Sequence, residues 1–473
     1  MDGATPIENP YVRGLYAPVH DEITRHDCEV IGEIPKDFGG VYVRNGPNPR
    51  YTPVARHHWF DGDGMLHAVH IENGKATYRN RYTRTADFDA ETEAGHELFG
   101  GIMHPLSSRP TKPFKDTSNT DVVFHAGHLL TMWYVAGEPY KVHPITLETI
   151  GPDDFGGKLP RNVSAHSKND PRTGEFLFFD YSPAKPWLTY GVVSPGDELD
   201  HFTEIELPGP RLPHDMGMTE NYVVLMDLPL FTTPEGLKRG KWQVGFYPDL
   251  PSRFGVLPRR GNGADIQWFE AEPCYIYHPV NAWEEGDWIV MDGFRVDEPC
   301  PPMDNPNDGD LARMLRYLRL VARMYRWRFN LKTGECKEEG LDGRNAEFPT
   351  INWTYLGRKT RYSYDVTIPL VDTLRFDGLM KFDHETGAAE EYKFGEGVFG
   401  SEAPFAPRHN SASEDDGYVV TFVQDENSGR SEMLIIDAQD FAKGPVARVQ
   451  IPQRVPAGFH ACWVTEAELA QVA

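Results

Sequence analysis

YVVTFVQD (418–425) and EMLIIDAQ (432–439) are the stretches whose reading decides the fold. Each is a short run rich in β-branched, aliphatic and aromatic residues, the composition that suits a pleated, half-buried strand. Working outward, runs of the same kind recur: GGVYVRNG (39–46), KATYRNRYTR (75–84), HLLTMWYV (128–135), EFLFFDYS (175–182), YVVLMDLPL (222–230), DWIVMDGFRV (287–296) and MYRWRFNLKTG (324–334). Turn sequences such as ENGK, PRTGE, KTGE and HETG stand between strands, and the 44 glycines and 39 prolines are spread evenly as punctuation. Many short strands with regular turns point to an all-β sandwich, barrel or propeller.

One segment reads as a helix. DGDLARMLRYLRLVARM (308–324) spaces Leu311, Leu315, Leu318 and Val321 three or four apart, with Arg313, Arg316, Arg319 and Arg323 between them. Those arginines are expected on a solvated face that pairs with an acidic surface. No strict short repeat, long linker or low-complexity stretch divides the chain, so residues 1–473 read as one domain.

The charge balance excludes some functions. Lys and Arg number 47 against 71 Asp and Glu, a net charge of −24. A nucleic-acid partner needs a surplus of cations, and an anionic membrane offers this chain no attraction. Five scattered cysteines, Cys28, Cys274, Cys300, Cys336 and Cys462, include no CxxC pair and suit a reducing compartment. The start MDGATPIENPYVRGLY lacks the basic and apolar regions of a signal peptide, and no run approaches the ~18 apolar residues of a spanning helix. The cytoplasm is therefore the expected location.

Four of the 18 histidines have informative surroundings. His166 sits in RNVSAHSKNDPRTGEF, His214 in LPGPRLPHDMGMTENYVVLMD, His278 in EPCYIYHPVNAWEEGDWIVMD and His460 in IPQRVPAGFHACWV. The gaps are 48, 64 and 182 residues; the first two are each about one sheet of a propeller, and the last would skip several. Histidines from the inner ends of such sheets would meet on the axis, and imidazole there suits ferrous iron, zinc or copper. Spacing alone favours four unrelated loop histidines, so the neighbouring residues must carry the case.

Those neighbours resemble the carotenoid cleavage oxygenase family over nearly the whole length. GGVYVRNGPNPRYTP (39–53) followed by HHWFDGDGMLHAV (57–69) is similar to the family's N-terminal signature. SAH (164–166), PHDMGMTENYVV (213–224), HPVNAWEEG (278–286) and RVPAGFHACW (454–463) resemble its four iron-histidine motifs, in order. EFPTIN (347–352) and SEAPFAPR (401–408) are similar to two glutamate motifs. The resemblance implies a seven-bladed β-propeller with a helical and loop cap over one face. It implies Fe(II) held by His166, His214, His278 and His460, with Glu347 bonded to His278 and Glu402 to His460. A ligand imidazole needs its second nitrogen anchored, which gives those acids a physical role. A third glutamate is expected near position 134 or 135 to support His214; Tyr134 and Val135 stand there, and Glu138 is the nearest acid. Thr120, in SNTDVV, falls where the family often has a threonine beside the open coordination position. Asp61 and Asp63 in FDGDGM suit turn geometry better than catalysis.

The implied activity is cleavage of a carbon–carbon double bond by O2 into two carbonyl products. The implied substrate is a small apolar polyene, a carotenoid or apocarotenoid, with an aryl-alkene such as a stilbene or isoeugenol as the alternative. The phenolic branch tends to carry a tyrosine in an FG-x-YRNP stretch and a lysine in a KED stretch. FGGIMHP (99–105) and TMWYVAGEP (131–139) lack both, and Ile102, Met103 and Trp133 are expected to form an apolar wall. For a membrane-dissolved substrate, LPLFTTPEGL (228–237) is the candidate segment for a transient contact with the membrane surface.

Overall fold

The computed structural model describes residues 8–53, 57–103, 114–135, 137–233, 236, 238, 243–301 and 309–472. Every run quoted above as a strand forms one, including Gly417–Asp425 and Arg430–Asp437, which pair antiparallel. The strands assemble into seven antiparallel sheets of four to six strands, the blades of a seven-bladed propeller, and one two-stranded hairpin, Leu230–Thr232 with Val244–Phe246.

Local chemistry sets the turns. Asn73 and Gly74 both adopt positive φ between Met65–Glu72 and Lys75–Tyr82, the geometry whose twist matches a two-residue hairpin. Elsewhere one turn recurs. Asp170, Asn330, Asp383 and Asp425 each accept a backbone N–H two residues on through the side chain. Each also accepts the N–H of a glycine four residues on through its carbonyl. Those glycines, Gly174, Gly334, Gly387 and Gly429, all lie at positive φ between 69° and 75°. The glycine is needed because a Cβ is strained there.

The ring is closed at both chain ends. The first blade runs Thr24–Arg25, Lys75–Tyr82, Met65–Glu72, Gly40–Arg44 and then, from the far end of the chain, Ala461–Thr465. Its last pairing sets Gly40 against Thr465 and Arg44 against Ala461. The seventh blade in turn receives Val30–Gly32, which pairs with Pro445–Ile451. Between them, blades two to six begin at Asp121–His125, Lys168–Asn169, Gly217–Met218, Tyr275–Glu285 and Ala346–Thr350, and blade seven reaches the axis with Phe405–Pro407. Neighbouring first strands pack together around most of the circuit, so they line the axis. The blades are glued by apolar faces: Tyr42, Tyr78, Phe422 and Ile435 are buried between blades one and seven, and Val43, Leu66, Phe124 and Leu129 between one and two. Each such side chain contributes about 1.5–3 kcal/mol.

The helix read from 308–324 is shorter than expected. It spans Asp310–Tyr317, and the chain enters the strand Arg323–Asn330 soon after. Position 308 lies outside the described residues. The apolar periodicity continues past Tyr317, but Met324 and Trp327 are claimed by the sheet core, and ladder pairing with Phe294 and Met291 overrides the helical pattern. Met314 and Leu318 are buried, so the helix packs an apolar side down as read, while Arg313 and Arg316 within it are half-buried and the exposed Arg319, which pairs with Asp372, lies beyond its end. The segment proposed for membrane contact is not an exposed patch where it is described. Leu228, Leu230 and Thr232 are buried and Phe231 stacks on Tyr247 at 4.2 Å; Pro234, Glu235 and Leu237 lie outside the described residues. Among the described residues, no helix is long and apolar enough to cross a membrane.

Candidate metal centre

Each blade presents one of the residues singled out above at or beside the head of its axial strand. In blade order these are His460, Thr120, His166, His214, His278, Glu347 and Glu402. The four imidazoles converge. Ring centroids lie 4.4 Å apart for His166–His214, 4.5 Å for His166–His460, 4.8 Å for His278–His460 and 5.0 Å for both His166–His278 and His214–His278. All four residues are buried.

The backbone is bent to aim them. His166 adopts φ 69°, an uncommon conformation for a residue with a side chain, and its N–H donates to Asp121 Oδ2 at 2.8 Å. His278 sits in a strand irregularity between Ile276 and Pro279. His460 is clamped on both sides: its N–H donates to the Thr120 carbonyl at 3.2 Å and its carbonyl accepts from Asn45 N–H at 2.9 Å. Asn45 in turn donates its amide to the carbonyls of Ser118 and Asp121 at 2.9 and 3.0 Å. The RNG of the N-terminal signature is thus a bracket for the last histidine. Beside it, buried Arg44 donates to the Pro456 carbonyl at 2.6 Å, and a Cβ on Gly458 would come within 2.5 Å of the guanidinium carbon.

Two histidines have carboxylate anchors. His460 Nδ1 lies 2.9 Å from Glu402 Oε1, and His278 Nδ1 contacts Glu347 Oε2. Burial pushes the Glu347 carboxyl up to about 8. His214 is held differently. Its Nδ1 is buried with no hydrogen-bond partner, and its ring is sandwiched by Tyr134 at 4.6 Å and Tyr277 at 4.9 Å. Glu138 is exposed and takes a hydrogen bond from Tyr140 Oη, so it does not reach in.

The donor set fits a transition-metal ion. The ligand atoms of His166, His278 and His460 lie within 4.8 Å of one another, and the Nε2 atoms of His166 and His278 are buried without partners. Burial first, and then the neighbouring imidazoles, hold His166 and His214 well below the ordinary histidine value, with His278 lowered likewise by burial and His460. They are therefore neutral, the form that ligates a metal. His460 is raised: burial pulls it down, but the Glu402 carboxylate outweighs this.

An apolar cavity opens on one side of the cluster, lined by His214, His278, His460 and Thr120 and walled by Trp59, Phe60, Tyr134, Tyr277, Tyr317, Leu318, Leu320, Phe348, Leu374 and Phe459. Thr120 Oγ1 is 2.9 Å from Asn119 Oδ1 and accepts Tyr134 N–H at 3.1 Å, which fixes its rotamer at the cavity wall. A second, wider space also reaches His166, His278 and His460, with Asp121, Lys168, Asp215 and Glu402 lining it among apolar neighbours such as Val122, Phe124 and Trp463. The wall expected from Ile102, Met103 and Trp133 is elsewhere. Trp133 lines a small separate recess with Asp61 and Lys115, and Met103 packs against the main core. The residues that do form the wall flank the histidine and glutamate motifs: Tyr277 precedes His278, Phe348 follows Glu347 and Phe459 precedes His460. That adjacency was the available signal. Asp61 and Asp63 are structural, accepting the N–H groups of His58 and Arg50 at 2.7 and 3.1 Å.

Residues 16–465 match the family model described as retinal pigment epithelial membrane protein, and the chain belongs to that family, the carotenoid oxygenases. Among its relatives is the carotenoid 9,10(9′,10′)-cleavage dioxygenase 1 of Phaseolus vulgaris, 38% identical with 99% of this chain and 91% of the relative covered. The isoeugenol monooxygenase of Pseudomonas nitroreducens is 33% identical over 96% of this chain and 98% of its own. The crystal structure of the Pseudomonas brassicacearum lignostilbene dioxygenase superposes with a TM-score of 0.88 at 30% identity, covering 96% of this chain and 98% of that one.

Proposed function

We propose that the protein is an alkene-cleaving dioxygenase in which His166, His214, His278 and His460 hold ferrous iron. The observation that carries this is four converging, buried imidazoles, three of them neutral, at the end of an apolar, aromatic cavity. Iron, when bound, supplies the reducing power and open coordination that reaction with O2 requires. The chain's residues do the rest. Glu347 and Glu402 fix ring orientation for His278 and His460. Thr120 narrows the approach to the open position, and the aromatic wall aligns the alkene and excludes water. Each alkene carbon gains one oxygen atom of O2, giving two carbonyl products with no proton transferred. Residues 1–473 act as one unit, since ring closure joins both ends to the site.

A carotenoid or apocarotenoid is the favoured substrate. Among the described residues, the cavity lining carries no Lys, Arg, Asp or Glu to bind a phenolate, and the Phaseolus relative supports the same branch. A stilbene or isoeugenol is the second reading, favoured by three tyrosines on the wall, Tyr134, Tyr277 and Tyr317, and by the isoeugenol monooxygenase relative. Five cysteines without disulfides fit a reducing cytoplasm. The test is an aerobic assay of iron-loaded protein with an apocarotenal and a hydroxystilbene side by side, with products read by mass. Cleavage of the apocarotenal alone supports the favoured branch. Cleavage of the stilbene alone overturns it, and no cleavage of either with iron bound overturns the reaction.

A further inference from the structure

A second group of titratable side chains lies off the axis, where blade two meets blade three. His125 ends the strand Asp121–His125 and His128 begins the next, facing it across a hairpin whose Ala126 and Gly127 both have positive φ. Asp153 follows the last strand of the same blade, Thr149–Pro152. Asp197 comes from blade three, on the turn between Leu188–Val193 and Leu199–Ile205, at φ 64°. None of the four belongs to the axial cluster.

Four atoms here are buried without a hydrogen-bond partner: His125 Nε2, His128 Nε2, Asp153 Oδ2 and Asp197 Oδ1. His125 and Asp153 are each only 2% exposed. The distances explain the orphaning. His128 Nε2 lies 3.5 Å from Asp153 Oδ2 and 3.9 Å from Asp197 Oδ2, and His125 Nε2 lies 3.9 Å from Asp197 Oδ1. These are too long for hydrogen bonds, which fall near ~2.7–3.2 Å. They are close to the spacing of donors around a common ion, because ligands ~2.0–2.1 Å from a tetrahedral centre stand about 3.3 Å apart. One ligand atom each from His128, Asp153 and Asp197 lies within 4.8 Å of the others.

The charges point the same way. Lys141 Nζ lies 3.2 Å from Asp153 Oδ1 and 3.4 Å from Asp197 Oδ2, so one ammonium faces two carboxylates and leaves an uncompensated negative charge. Burial and the neighbouring Asp153 raise the Asp197 carboxyl, as expected of two acids crowded around one cation. The Lys141 side chain is 27% exposed, with room to turn outward as a stronger cation enters.

We propose that His128, Asp153 and Asp197 bind a divalent first-row cation of the zinc class, joining blade two to blade three. Two carboxylates and an imidazole suit such an ion. The site is independent of the iron centre.

The test uses iron-loaded protein equilibrated with zinc sulfate, passed over a chelating resin and read by elemental analysis. About one zinc per chain is expected with the iron retained, and Asp197→Asn and His128→Gln each lose the zinc and keep the iron. In thermal melts the parent midpoint rises with zinc, whereas both iron-loaded variants match the iron-loaded parent without zinc and stay unmoved by zinc. Should His128→Gln fail to fold, Asp197→Asn, on an exposed turn with its side chain 20% accessible, carries the same readout. Zinc that binds only by displacing iron, no zinc at all, or zinc retained by the double variant would overturn the proposal in favour of a plain ion-pair network.

Discussion

Glu402 and Glu347 show how a single carboxylate sets the angle of a buried imidazole. Each touches the Nδ1 of a histidine whose other nitrogen faces the cluster, so the acid fixes both tautomer and ring angle. Glu402→Gln is expected to leave the fold intact and weaken iron binding by about 10–100-fold, as read by competition with a calibrated chelator. Wild-type affinity in that variant would remove Glu402 from the proposed role. The residues were legible here because each histidine and glutamate sits in a stretch whose neighbours also have jobs. Asn45 brackets His460, and Arg44 fills the space Gly458 leaves open. What holds His214 was not legible. A pair of tyrosines packed against the ring, one tilted and one edge-on, leaves no pattern that distinguishes it from ordinary core. The aromatic cavity wall was misplaced for the same reason, since lining and core both call for apolar side chains.

At the scale of strands and turns, two joints deserve measurement. A methyl on Gly458 collides with the Arg44 guanidinium, which has no space to retreat because it is fully buried. Gly458→Ala should cost about 1–3 kcal/mol and displace His460, giving a lower denaturation midpoint together with weaker metal retention. The second joint ties blade three to blade four: Arg259, just past the strand Ser252–Pro258, bonds Asp170 and Glu175. Burial alone would raise the Asp170 carboxyl, but Arg259 and the Arg172 N–H overcome it and hold it at about 2. A depressed acid stabilises the fold fully above its unfolded value near 3.8, and that stability is lost as pH falls through about 2. Arg259→Ala should therefore cost about 3 kcal/mol at neutral pH and flatten the stability profile between pH 4 and 2, measured by urea melts across that range. Strands were readable because alternation and β-branching are local. The helix overran in the reading because its apolar spacing continues into residues that the sheet recruits.

The whole molecule depends on pairings that no local pattern announces. Gly40 meets Thr465 and Val30 meets Val449, partners separated by more than four hundred residues. The cluster of His125, His128, Asp153 and Asp197 was equally invisible, being assembled from two blades. Because Ala461–Thr465 is the axial strand of blade one, a chain truncated after Ala457 should lose far more than a ligand. It is expected to melt without a cooperative transition and to show weak near-ultraviolet dichroism, whereas His460→Ala should keep both and lose only metal. A cooperative truncation product would refute the closure argument.

That late strand also orders events in time. His460 follows His278 by 182 residues, which at ribosomal rates of ~5–20 residues per second is an interval of roughly 10 to 40 s. Throughout it, three histidines have been synthesised while the fourth, and the strand that closes the ring beside it, have not. A nascent or prematurely terminated chain thus carries three of the four histidines and lacks the strand that closes the ring.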